Sequence, residues 1–146
     1  QIYSNIMEEY IKIGFIGNCR YGLHTEQKDK IISILDKYGN IIVSHKDCIG
    51  TDTDFHNLCM NYRNEHPNKK IRIEIFPSND LKFRAFNEPD LLNVKQSNIQ
   101  QSNLKIIKYS SILIACPIDK NKEQLYSGTW RIIREARKQN LKVYIL

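Results

Sequence analysis

Three short stretches of this sequence carry residue types suited to holding an anion. Gly17, Asn18, Cys19 and Arg20 follow the apolar run KIGFIG at 12–17, and His45, Lys46, Asp47, Cys48 and Gly50 end or follow IIVSH at 41–45. Ser127, Gly128 and Thr129 open a helical pattern after a polar loop that begins at Pro117. A helix beginning Ser-Gly-Thr offers unpaired backbone N–H groups, a hydroxyl and the positive end of the helix dipole, which suits a phosphate. Glycine lets that phosphate approach the backbone closely. Ser127 and Thr129 also fit as plain helix caps. Glycine and arginine at other strand ends tilt the reading toward a ligand site.

Other groupings point to different chemistry. Cys19, Cys48 and Cys116 all fall near strand ends, with His45 close to Cys48, a set that suits zinc, a redox pair or simple packing. No C-x-x-C occurs, so no metal site is expected. His56 and Cys59 share a helix at i, i+3 without further ligands in view, and Cys48 with His45 makes a conceivable nucleophile pair. Trp130 suits either a stacked base or the helix–sheet interface. Arg131, Arg134 and Lys138 form a basic stripe at helical spacing, which suits nucleic-acid phosphates or a solvated face beside Glu135.

Elements that would position these residues are legible as apolar runs alternating with helical periods. Strands are expected at 12–17, 41–45, 71–76, 111–116 and 142–146. Helices are expected at 25–38 (Thr25 as N-cap, Gly39 as stop), from Thr51 or Asp52 to before Pro67, at about 98–109, and at about 128–139. The stretch 78–97 lacks periodicity and reads as a long loop, a kind that is usually functional. Strands apolar on both faces, alternating with helices, imply a covered parallel sheet. The expected architecture is an α/β, Rossmann-like three-layer sandwich with a five-stranded parallel sheet in order 3-2-1-4-5. Its ligand edge lies at the switch point between the first and fourth strands.

Size and composition bound the rest. The 146 residues fit one domain, read as a leader at 1–11 and a single domain at 12–146. No apolar run is long enough for a membrane span and no signal-peptide pattern opens the chain, so a cytoplasmic protein with reduced thiols is expected. Twenty-two basic residues against 16 acidic give a net charge of +6, which permits an anionic partner of any size.

The stretches GFIGNCRYGLHTEQ, SHKDCIGTDTDFHNL, the region from Arg84 and Ala85, SSILIACP and SGTWRIIREARK resemble the SMF/DprA–LOG superfamily of Rossmann-like nucleotide-binding proteins. The resemblance runs from about residue 12 to the end. It implies that Gly17, Asn18, Arg20, Asp47, Gly50, Asp52, Arg84, Asn103, Pro117, Ser127, Gly128 and Thr129 surround a nucleotide or nucleotide-derived ligand. It implies no further cofactor, and a homodimer or higher homo-oligomer. Two departures matter. Ser102 stands where relatives carry an Arg, and Ile132 stands where the phosphoribohydrolase branch carries its catalytic Glu. Glu135 lies one turn further on, and Asp47 becomes the alternative catalytic carboxylate. The leading expectation is therefore binding of a nucleotide or nucleotide-derived signalling molecule. Hydrolysis of a nucleoside 5′-monophosphate at its N-glycosidic bond, and single-stranded DNA binding, stand as alternatives.

Overall fold

Six parallel strands form one sheet in the computed structural model, which describes residues 9–93 and 95–146. They are β1 (Ile11–Gly17), β2 (Ile41–His45), β3 (Ile71–Ile75), β4 (Leu91–Leu92), β5 (Ile112–Cys116) and β6 (Lys142–Ile145). Their order is β4-β3-β2-β1-β5-β6. The expected five-stranded sheet is thus corrected to six. The five strands read from sequence keep their relative order, and β4 adds an outer edge beyond β3. That strand lies inside the stretch read as loop. Its two leucines are both exposed, so it has no burial pattern to read, and it is held by pairing to Glu74 and Ile75. Most of the leader expected at 1–11 lies outside the described residues, and Ile11 belongs to β1.

Among the described residues four helices cover the sheet: α1 (Thr25–Asp36), α2 (Thr51–Glu65), α3 (Ile99–Lys108) and α4 (Gly128–Lys138). Strand geometry sends alternate side chains to opposite faces. Ile13 and Phe15 join a cluster with Ile31, Leu35, Phe55 and Cys59, which places α1 and α2 on one face. Ile16, Leu113 and Ala115 join Ile106, Trp130, Ile132 and Ile133 on the other, beneath α3 and α4. All five residues of β5 are buried, as a central strand of a covered parallel sheet requires. Each buried isoleucine contributes about 2 kcal/mol of transfer free energy. The core accordingly fixes the two layers independently of any ligand.

Two helix starts differ from the sequence reading by one residue. His24 precedes α1, its amide donating to Gln27 Oε1 at 3.1 Å, so Thr25 is the first helical residue and not the cap. Gly50 precedes α2 with φ of 85°, a conformation that favours glycine. A Cβ there would also sit 2.9 Å from the carbonyl oxygen of Asn18. Thr51 and Asp52, the caps expected from sequence, thus lie within the helix.

Candidate functional site

At the carboxyl edge, between the ends of β1 and β5, the chain leaves a cavity of ≈ 230 Å³. Three segments enclose it. Gly17, Asn18 and Cys19 come from the β1–α1 turn, Gln100 and Asn103 from α3, and Ser127, Gly128 and Thr129 from the start of α4. Lys46, leaving β2, completes the floor, and Ile118 and Gln124 stand at the side of the β5–α4 loop.

The β1–α1 turn is held by short bonds of its own. Asn18 Oδ1 accepts the amides of Arg20 at 2.9 Å and Tyr21 at 2.6 Å, closing an Asx-type turn. The Asn18 carbonyl in turn accepts the Thr51 amide at 3.1 Å and hydroxyl at 2.8 Å. A Cβ on Gly17 would overlap Thr51 Oγ1 at 2.0 Å, so only glycine fits where the two turns meet.

At the start of α4, Ser127 does act as the cap: its hydroxyl accepts the Trp130 amide at 3.3 Å. That leaves the amides of Gly128 and Thr129 without an intrahelical partner at the positive end of the helix, and both residues line the cavity. Gln100 packs close enough that a Cβ on Gly128 would sit 2.5 Å from its Nε2.

Lys46 is the most informative residue here. Its side chain is 2% exposed, and Nζ donates to Asp52 Oδ2 at 3.2 Å. Burial opposes the ammonium, but Asp52 and the thiols of Cys48 and Cys19 outweigh it and raise its pKa. Asp52 is fully buried, and burial pushes its carboxyl upward against the pull of Lys46 and the Cys48 amide. Asp52 Oδ2 takes one of the three ammonium protons and also accepts the Cys48 amide at 3.0 Å, while Oδ1 has no partner. Asn103, 3% exposed, likewise presents an Oδ1 without a partner, as does Gln100 with its Oε1. Buried polar atoms normally find partners, so this concentration marks a place shaped for something more than packing.

Asp47 has a different fate. Successive residues leaving a strand diverge, and Asp47 turns away from the cavity that Lys46 lines. It is fully buried with φ of 64°, and its two oxygens accept four donors. Arg84 Nε and the Phe86 amide reach Oδ2, both at 3.1 Å, and the Asn87 amide and Nδ2 reach Oδ1 at 3.0 and 2.9 Å. The catalytic role expected of Asp47 finds no support in this geometry, because no lone pair is left to take a proton from a substrate. Arg84, 8% exposed, is spent on the same carboxylate and on the Ser78 carbonyl.

The remaining expected site residues fall at the border or outside. Gly50 shapes the neighbouring turn, and Asp52 sits behind Lys46. Arg20 is exposed and does not line the cavity, and Pro117 borders a separate depression beside His24, Lys30 and Leu146. Ser102, in place of the expected Arg, is 1% exposed and donates to the Pro77 carbonyl at 3.2 Å. Ile132 is wholly buried in the α3–α4 core, and Trp130 fills the same interface. In the basic stripe of α4, Arg134 is tied to Glu123 at 3.0 Å and to the Leu125 carbonyl at 3.1 Å. Among the described residues, no three His, Cys, Asp or Glu side chains gather to hold a metal, and no helix is long and apolar enough to cross a membrane.

Sequence reasoning placed Lys46 at the strand end but left it out of the ligand residues, and it missed Gln100 altogether. A lysine directly after the buried strand IIVSH was the available signal for the first. Gln100 gives none, since glutamine in a first helical turn is commonplace. No protein-family model matches the chain, and none of the curated proteins compared with it is similar enough to count as a relative.

Proposed function

We propose that this cavity binds the phosphate and sugar portion of a nucleotide or nucleotide-derived small molecule. One observation carries the reading: the buried Lys46 ammonium shares a cavity with the free amides at the start of α4. A cation and a helix N-terminus facing one space favour a dianionic phosphate over any neutral group. The unpartnered oxygens of Asn103 and Gln100 ask for donors as well, and ribose hydroxyls supply them. With ≈ 230 Å³ the cavity falls below the roughly 300 Å³ at which pockets begin to enclose a whole drug-sized ligand. Phosphate and ribose therefore lie inside, and the base rests against Ile118 at the rim.

Binding is favoured over N-glycosidic hydrolysis because, among the described residues, no carboxylate lines the cavity. Asp47 is saturated, and Ile132 has neither a proton to give nor access to the space. Single-stranded DNA binding draws on the +6 charge, but Arg134 is already engaged within the chain.

The test is calorimetry against a panel of nucleoside monophosphates, ADP-ribose and cyclic nucleotides, with Gly128→Asp as the control. Saturable binding that the variant loses, without base release by chromatography, supports the reading. Binding that survives Gly128→Asp, or none across the panel, overturns it.

A further inference from the structure

The two helical layers carry opposite charge. On one side of the sheet, α3 and α4 hold Lys105, Lys108, Arg131, Arg134, Arg137 and Lys138, with Glu135 as their one acidic residue. Helix α4 buries Trp130, Ile132, Ile133 and Ala136, so Arg131, Arg134 and Lys138, at i, i+3 and i+7, form its outer face. Leu125 and Tyr126 stand beside that stripe, 72% and 96% exposed, and the Leu125 carbonyl accepts from Arg134 Nη2. On the other side, α1 and α2 enclose a groove of ≈ 490 Å³. Ile32, Leu58 and Tyr62 give it apolar walls, and Asp29, Asp54 and Glu65 give it negative charge, opposed by Lys28 and, when protonated, His66.

We propose that the outer face of α4, with Leu125 and Tyr126, docks into the α1–α2 groove of a second copy of this chain, so that copies stack head to tail. Charge complementarity selects the occupant: a basic helix flanked by exposed apolar residues matches an acidic groove with apolar walls. The aliphatic stems of Arg131 and Lys138 lie along Ile32 and Leu58 while their charged heads meet Asp29 and Glu65. Tyr126 and Leu125 supply the large side chains that anchor such a contact. Neither surface complements itself, since two basic stripes repel and so do two acidic grooves. A two-fold dimer through either one is therefore disfavoured.

The groove and the stripe belong to opposite layers. Ile31 of α1 and Phe55 of α2 pack on one face of the sheet, and Ile106 of α3 and Ile133 of α4 pack on the other. A contact that joins opposite faces does not close on itself, because each added copy leaves one groove and one stripe unfilled. The assembly grows as an open stack, and salt screens the charges that hold it. Stacking needs no ligand.

The experiment is sedimentation velocity over a concentration series of the unaltered chain, in about 0.05 M and about 0.5 M salt. At low salt the sedimentation coefficient is expected to keep rising with concentration past that of a dimer. At high salt the association is expected to weaken at least about tenfold. Two charge-reversed variants make the test specific, Asp29→Lys/Glu65→Lys in the groove and Arg131→Glu/Lys138→Glu in the stripe. All four positions are exposed, and circular dichroism checks that both variants fold. Each variant alone is expected to stay monomeric, because its two faces then carry the same sign. Their equimolar mixture is expected to associate again, the acidic stripe of one entering the basic groove of the other. A monomer at every concentration in low salt, a dimer that grows no further, undiminished association of either variant alone, or a mixture that stays monomeric overturns the proposal. The first of these, joined to salt-sensitive binding of a single-stranded oligonucleotide, would reassign the basic face to nucleic acid. No nucleotide enters the sedimentation runs, so their failure leaves the binding proposal standing and their success does not support it.

Discussion

Asp47 and Asp52 leave the same strand through the same turn, both without accessible surface, and they are treated in opposite ways. Asp47 receives four donors on two oxygens, and its amide donates to His45 Nδ1 at 2.9 Å. Asp52 receives two donors on one oxygen and none on the other. The first carboxylate is consumed in holding the 84–87 loop, at a left-handed φ that costs about 1–2 kcal/mol by itself. The second holds a lysine that lines a cavity. A saturated buried charge is architecture, and an undersupplied one beside a space is what the proposed receptor role calls for. Sequence position alone does not separate the two.

The comparison can be strained hardest with acid. His45 Nδ1 accepts from the Asp47 amide, so its proton sits on Nε2 and is donated to His56 Nδ1 at 2.9 Å. Burial, with a contribution from His56, depresses the His45 pKa to about 3. Between pH 6.5 and that value the unfolded chain carries a proton that the folded chain lacks, so stability falls as pH falls through the window. The loss is of order 4 kcal/mol at its lower end. Asp52, raised by burial, works in the opposite sense. Urea denaturation at successive pH values should show the decline, flattened in His45→Gln, which keeps an acceptor without the titration. A decline unchanged in that variant would detach His45 from the Asp47 architecture.

Asp47→Asn is expected to destabilise by about 3 kcal/mol, because it strands the buried Arg84 guanidinium. Asparagine tolerates the left-handed backbone, so the loss comes from the charge and from the one oxygen that becomes an NH2 facing donors. Affinity of the folded protein for the nucleotide should stay within about twofold, since Asp47 does not line the cavity. A large loss of affinity at unchanged stability would reverse the roles given to the two carboxylates.

Gly128→Asp should have the smallest effect on the fold. An acidic residue at a helix start stabilises by about 0.5 kcal/mol, and the close neighbour it meets is the flexible end of Gln100. Thermal unfolding should therefore rise slightly or hold, while phosphate is repelled. A drop of many degrees would mean that Gly128 is needed for packing and says little about anions.

How much of this was legible beforehand depends on what each residue faces. The strands β1, β2 and β5 were readable because burial writes largely apolar runs, β3 because isoleucines alternate with Arg72 and Glu74, and β6 from the short apolar segment that follows α4. The two exposed leucines of β4 write nothing, and that edge depends on pairing with Glu74 and Ile75. Gly17, Asn18 and Ser127–Thr129 reach the cavity, since the strand-end rule fixes where such residues gather, and Asn103, named from the family resemblance alone, joins them from α3. Asp47 and Arg84 do not, because a one-residue step past a strand changes the face, and only coordinates tell which neighbour takes Lys46. The spare oxygen of Asp52 is a count of partners, which no sequence pattern records.

The central claim, that Lys46 is the anion receptor, is tested most directly by the paired substitution Lys46→Met/Asp52→Asn. Removing both charges avoids leaving either one buried alone, so stability should change by no more than about 1 kcal/mol. Calorimetric titration with adenosine 5′-monophosphate and ribose 5-phosphate should show saturable binding to the unaltered chain. In the paired variant that affinity should fall about 30-fold, as expected for a lost charge-assisted hydrogen bond of about 2 kcal/mol. Equal affinity in the two folded proteins would contradict the account.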